Sequence, residues 1–134
     1  MVAQLFALCI IAAAVTQGHA LTLHNLDDVS YTFITNDLIG KTLTIPKLFL
    51  DKLELCQVVF PNGAMYEAFP NNRLPVNGYI FFLASTQPFT SCGIGFRGAP
   101  LSASGTYELL SLVEHTLDGS RSLTRQRFHL NLIP

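Results

Sequence analysis

Two short runs, Cys92-Gly93-Ile94-Gly95-Phe96 and Ser104-Gly105-Thr106-Tyr107-Glu108-Leu109, set the strongest limits on what this chain can fold into. They lie eight residues apart, and each reads as a strand with one face turned inward, because a strand sends successive side chains to opposite sides. The rest of the chain agrees with them. No long segment repeats apolar residues at three and four, and Pro or Gly interrupts every window in which a helix could form.

Further strands follow the same logic. Leu21-Thr22-Leu23 and Val29 to Ile34 open the set, and Lys41-Thr42-Leu43-Thr44-Ile45 alternates until Pro46 stops it. Leu53 to Phe60 is strand-like, and Pro61-Asn62-Gly63 turns it into Ala64 to Phe69, since Asn-Gly readily adopts the positive backbone angles of tight hairpins. Pro70 to Gly78 reads as a loop, whereas Tyr79 to Leu83 and Phe89 to Phe96 read as strands. Phe128, Leu130 and Leu132 then alternate with Arg127, His129 and Asn131, giving a last strand with one wet face. About seven to nine strands without crossover helices describe an all-β antiparallel sandwich rather than a parallel sheet.

Residues 1–20 stand outside this pattern. Leu5 to Val15 is an uncharged apolar run of signal-peptide length, too short to span a bilayer, and Gly18-His19-Ala20 offers small residues at a cleavage site. Residues 21–134, about 114 of them, then form a single secreted, extracellular domain large enough for one hydrophobic core. Removing Cys9 with the leader leaves Cys56 and Cys92, an even pair in an oxidising compartment, and one disulfide is expected. The formal net charge of −1 sets up no field that would draw in nucleic acid or an anionic membrane surface.

Ser104-Gly105-Thr106-Tyr107 resembles the Asp-Ser-Gly-x-Tyr-x-Cys signature that opens strand F of immunoglobulin domains. Cys92, Ile94 and Phe96 keep the spacing to Gly105 seen on strand E of that family, and Leu55 to Gly63 looks like strand C running into its hairpin. The chain is similar to the immunoglobulin-like domains of arthropod secreted and cell-surface proteins. The resemblance implies that Tyr107 forms a tyrosine corner beside Gly105 and that the domain works by binding. It also shows departures: Leu109 stands in the slot of the strand F Cys, Ile45-Pro46-Lys47 lacks the strand B Cys, Ala103 replaces the corner Asp, and there is no Trp. On this alignment Cys56 and Cys92 join strands C and E across the two sheets in place of the usual strand B to strand F bridge, while Leu109 fills the vacated space.

The chain offers little to assemble into an active site. His24, His115 and His129 have no metal-ligand spacing, Asp27-Asp28 lacks a calcium-loop pattern, and Gly93-Ile94-Gly95 lies in a strand rather than before a helix. No catalytic residue, metal or cofactor is expected. Arg121, Arg125 and Arg127 read as a solvated strand face. If Tyr107 and Leu109 point inward, Leu110 and Leu112 point out of the same sheet and offer an apolar contact face, with Leu53 or Val59 nearby. The expected function is cell recognition by contact with an extracellular or cell-surface protein, or with a second copy. The alternative is a small secreted β-barrel carrier enclosing an apolar ligand; an inhibitor or secreted enzyme has only the Pro70 to Gly78 loop in its favour.

Overall fold

A computed structural model describes residues 20–73, 75 and 77–134. The leader expected at 1–20 lies, apart from Ala20, outside the described residues, as do Leu74 and Val76 of the Pro70 to Gly78 loop. Nine strands occur among the described residues: β1 (Leu21–Asn25), β2 (Val29–Ile34), β3 (Leu38–Thr42), β4 (Lys52–Val59), β5 (Met65–Phe69), β6 (Ile80–Phe82), β7 (Gly93–Arg97), β8 (Gly105–Glu114) and β9 (Arg121–Ile133). They form two sheets. The larger runs β1-β9-β8-β4-β5 with β2 also on β9, and the smaller runs β3-β7-β6.

The pairings are antiparallel except those of β1 and β2, which run parallel to β9. The two share one partner strand because residues 26–28 bulge between them, so that Asn25 faces Arg125 while Val29 faces Phe128. The expected strand at 41–45 is shifted: β3 spans 38–42, and its ladder ends with the Leu43 amide donating to the Cys92 carbonyl at 2.8 Å. The last strand is longer than its alternation suggested. Its first half carries Ser122, Thr124 and Gln126 on the buried face, which hides the strand from a search for apolar periodicity.

The hairpin between β4 and β5 turns at Pro61-Asn62-Gly63, and only Gly63 has a positive φ, 85°. Bonds from Gly63 N to Phe60 O and from Phe60 N to Ala64 O define a three-residue loop closed by a left-handed glycine. Gly95 answers to a different demand. A Cβ there would collide with the outer end of the Phe81 ring, so Gly95 seats an aromatic from the neighbouring strand, while a Cβ at Gly93 would meet the backbone of Lys41 and Thr42 on β3.

Between the sheets, Tyr107 is the centre of an aromatic cluster. Phe128 stacks on it at 5.2 Å, and Phe96 and Phe60 meet it edge to face at 5.3 and 5.4 Å. Its hydroxyl donates to the Ala103 carbonyl at 2.6 Å, the contact of a tyrosine corner, and burial pushes the phenol above its ordinary pKa. Leu109 is fully buried between the sheets. The interior is thus filled by side chains and the sheets do not close on each other, so the fold is a sandwich and not the barrel that a ligand carrier would need.

Cys56 on β4 and Cys92 beside β7 are joined with their Cα atoms 5.5 Å apart, tying the large sheet to the small one. The bond closes a sequence separation of 36 residues. Replacing both cysteines by Ala should lower stability by about 3–4 kcal/mol, read as a fall in the urea midpoint with a somewhat steeper slope, because the unlinked unfolded chain exposes more surface.

Candidate functional site

Three loops meet at one end of the sandwich: 43–51 between β3 and β4, 83–92 between β6 and β7, and 115–120 between β8 and β9. Their large apolar side chains face water. Leu48, Phe49 and Leu50 are 64%, 70% and 45% exposed, Phe89 is 73% and Leu117 is 87% exposed. Phe49 and Phe89 meet edge to face at 6.3 Å, and Leu48 and Leu117 line a common cleft of about 420 Å³, so the five form one patch rather than scattered exposures.

Asp51 holds these loops in place. It is 1% exposed, and its carboxylate accepts from the Leu48 amide at 2.8 Å, the Thr116 amide at 3.3 Å and His115 Nδ1 at 2.7 Å. The Asp51 amide donates back to the Leu48 carbonyl, while Thr90 Oγ1 donates to the Asp51 carbonyl at 2.5 Å and Gln87 Nε2 to the Leu50 carbonyl. Lys47 Nζ reaches the Thr90 carbonyl. All three loops are therefore joined through one carboxylate and its neighbours. The network holds Leu50 at φ 72°, a left-handed conformation that a bulky side chain rarely adopts and that surrounding bonds must enforce.

Burial alone would raise the pKa of Asp51. The hydrogen bonds from Leu48, His115 and Thr116, with the charge of His115, outweigh it and hold the carboxyl below its usual value. Asp118 is lowered as well, chiefly by its bonds from the Ser120 hydroxyl and amide.

His115 completes a relay, because its Nε2 lies 2.6 Å from Ser122 Oγ. Ser122, His115 and Asp51 thus have the bonding order of a hydrolase triad. The arrangement lacks access: Ser122 is 3% exposed, lies on the inward row of β9 and does not line the cleft, so no carbonyl can approach its oxygen. The relay fastens the 115–120 loop to β4 and β9. Its members are 64 and 7 residues apart, which is why no spacing motif announces them.

The sheet face expected to bind is less open than the loops. Leu110 and Leu112 do point away from Leu109, but they are only 5% and 7% exposed, packed with Leu55 and Leu123 into a second cluster. A register shift between Leu53 and Leu55 sends Leu53 into the core and makes Leu55 the outward neighbour. The arginines beside this cluster are matched. Arg121 contacts Glu54 and Glu114, Arg125 contacts Glu108, and Arg127 contacts Asp28, so the face presents paired charges rather than a basic patch.

Removing Asp51 should loosen the whole end. Asp51→Ala should cost about 3 kcal/mol in urea denaturation at pH 7. Because the folded-state pKa of Asp51 lies below the unfolded value of about 3.9, its contribution is complete above that pH and is lost as pH falls through the folded value. Asp51→Asn should therefore lose less stability than the wild type between about pH 5 and pH 2.

No protein-family model matches this sequence, and no curated protein is similar to it. Among solved structures the fold is similar to that of murine CRIg, with 11% sequence identity and a TM-score of 0.57 over 78% of this chain and 92% of that one. The likeness and the two-sheet architecture together show that this chain adopts an immunoglobulin-like β-sandwich.

Proposed function

We propose that this chain is a secreted, non-catalytic recognition domain, of the kind seen among arthropod secreted proteins, that binds an extracellular or cell-surface protein through the loops at one end. The observation that carries the reading is the patch of Leu48, Phe49, Leu50, Phe89 and Leu117, exposed on three loops yet held by a buried carboxylate. Exposed apolar surface is unfavourable for a lone domain, and holding it rigid lowers the entropy lost when a partner covers it. The outer-face leucines Leu110 and Leu112 support the reading less, because little of them is free.

The immunoglobulin-like fold favours the same use, since variable-type domains place their recognition loops at one end of the sandwich. Catalysis has no support in the geometry, as Ser122 cannot meet a substrate. No helix of the described residues is long and apolar enough to cross a membrane.

Staining of cells and extracellular matrix with the tagged, secreted protein tests the proposal. Phe49→Asp and Leu117→Asp should each reduce bound protein at least about tenfold without lowering the melting temperature, because both side chains already face water. Binding unchanged in both variants but lost in Leu110→Lys would move the surface to the sheet face and refute the loop assignment.

A further inference from the structure

β3 (Leu38–Thr42) ends the small sheet, and its outer edge is bare. The Leu43 amide donates to the Cys92 carbonyl, and the register sets Ile39 opposite Phe96 and Lys41 opposite Ile94, so Ile39, Lys41 and Leu43 turn their backbone groups toward β7. Hydrogen-bonding direction alternates along an antiparallel strand. The amides and carbonyls of Leu38, Gly40 and Thr42 therefore point away from the sheet, and among the described residues they have no backbone partner.

The other edges are short, broken or occupied. β6 has three residues, the edge formed by β1 and β2 is interrupted at 26–28, and on β5 the Arg73 amide closes onto the Glu67 carbonyl at 2.8 Å. An edge left open in a monomer is ordinarily guarded by charge or proline. From Val29 to Ile45 the chain has no proline, and its charged side chains are Asp37 and Lys41 alone. Neither enters an ion pair among the described residues. Lys41 is half-buried with its Nζ 5.6 Å from the centre of the Tyr31 ring on β2, a contact that supplies no carboxylate.

We propose that β3 pairs with β3 of a second copy, antiparallel about a two-fold axis at Ile39, so that the small sheets of the two copies become continuous. In this register Ile39 faces Ile39, Leu38 faces Gly40 and Asp37 faces Lys41, the last two on both sides of the axis. Leu38 and Gly40 exchange the backbone bonds that each copy leaves open. Asp37 stands one residue ahead of β3 in the same alternate row as Ile39 and Lys41, and these are the closely spaced, non-hydrogen-bonded positions of the new ladder, where the carboxylate of each copy meets the ammonium of the other. On the opposite side Leu38, 69% exposed, lies across Gly40, which has no side chain to obstruct it. Moving the register by two residues loses both matches, because Lys41 would then face Ile39 or Thr35. Opposite charges at equal distances on either side of Ile39 make this edge complementary to itself rather than to strands in general. The surface is separate from the loop end, so the pairing goes beyond the recognition reading and does not depend on it.

Sedimentation equilibrium of the secreted protein from about 10 µM to about 1 mM tests this, and the weight-average mass should rise toward twice the monomer value. Gly40→Pro removes an outward amide hydrogen and none of the bonds to β7, and it should weaken association at least about tenfold. Asp37→Lys, at an exposed position outside the strand, should also weaken association about tenfold by setting Lys against Lys41, while Asp37→Lys combined with Lys41→Asp should restore it. Hydrogen exchange at the Leu38 and Gly40 amides should slow as concentration rises, whereas the Thr42 amide should go on exchanging. Melting temperatures separate loss of contact from loss of fold, and Asp37→Lys keeps the test decisive if a change within the strand lowers them.

A monomer at every concentration would overturn the proposal. So would association that survives both Gly40→Pro and Asp37→Lys, or an exchanged pair that melts like the wild type yet associates no better than Asp37→Lys alone. Slowing at Thr42 as strong as at Gly40 would place the axis elsewhere, and edge amides already protected in the dilute protein would mean that the chain covers its own edge; either result contradicts the pairing about Ile39. Phe49→Asp should leave association unchanged, and association lost there but kept in Gly40→Pro would move self-contact to the loops and overturn edge pairing. Cell staining lost in Phe49→Asp while the protein stays monomeric would remove the edge pairing and leave the recognition reading standing.

Discussion

A carboxylate can leave water only where hydrogen bonds replace its hydration, and the loop end of this domain is organised around that condition. Asp51 sits at the start of β4 with 1% of its surface exposed, and it gathers donors from its own loop and from the loop after β8, while its backbone carbonyl fixes Thr90 of the third loop. The consequence reaches outward. Loops tied at their base can hold Phe49, Phe89 and Leu117 in water without collapsing onto the sandwich, so the exposed patch depends on the buried charge beneath it.

The two ends of the sandwich are built from different materials. Around Tyr107 the interior is aromatic and aliphatic, with Phe60, Phe96 and Phe128 in contact, and the corner is closed by one tyrosine hydroxyl. Toward the loops the inward row of β9 changes from Leu132, Leu130 and Phe128 to Gln126, Thr124 and Ser122. The Cys56–Cys92 bridge holds the sheets together at this change: Cys56 faces Ser111 and Ser111 faces Thr124, two buried hydroxyls without a hydrogen-bond partner among the described residues. Leu43, Ile45, Leu53 and Val113 carry the apolar core on to the loop end, where the Asp51 hydrogen bonds position the loops over it.

Much of this fold is legible in the sequence because its markers are local. The alternation of Cys92 to Phe96, the Pro61-Asn62-Gly63 turn and the Ser104 to Tyr107 phrase each report on neighbours in the chain, and the strands stand where those markers put them within a few residues. Long-range features are less legible. Nothing in the sequence links Asp51 with His115, and the phase of β4 changes at a bulge that no residue type announces, which is why Leu53 faces inward and Leu55 outward. The exposed patch did leave a trace: Leu48-Phe49-Leu50 is an apolar run placed after Pro46, where a chain that needed only a solvated turn would carry polar residues. Periodicity alone reads such a run as core.

Amide chemical shifts of the isotope-labelled protein, followed as the concentration of a bound partner rises, locate the contact surface directly. The largest changes should fall on residues 46–51, 86–90 and 115–120, with β4, β8 and the outer leucines Leu55, Leu110, Leu112 and Leu123 nearly still. Changes concentrated on those leucines, with the three loops unmoved, would contradict it.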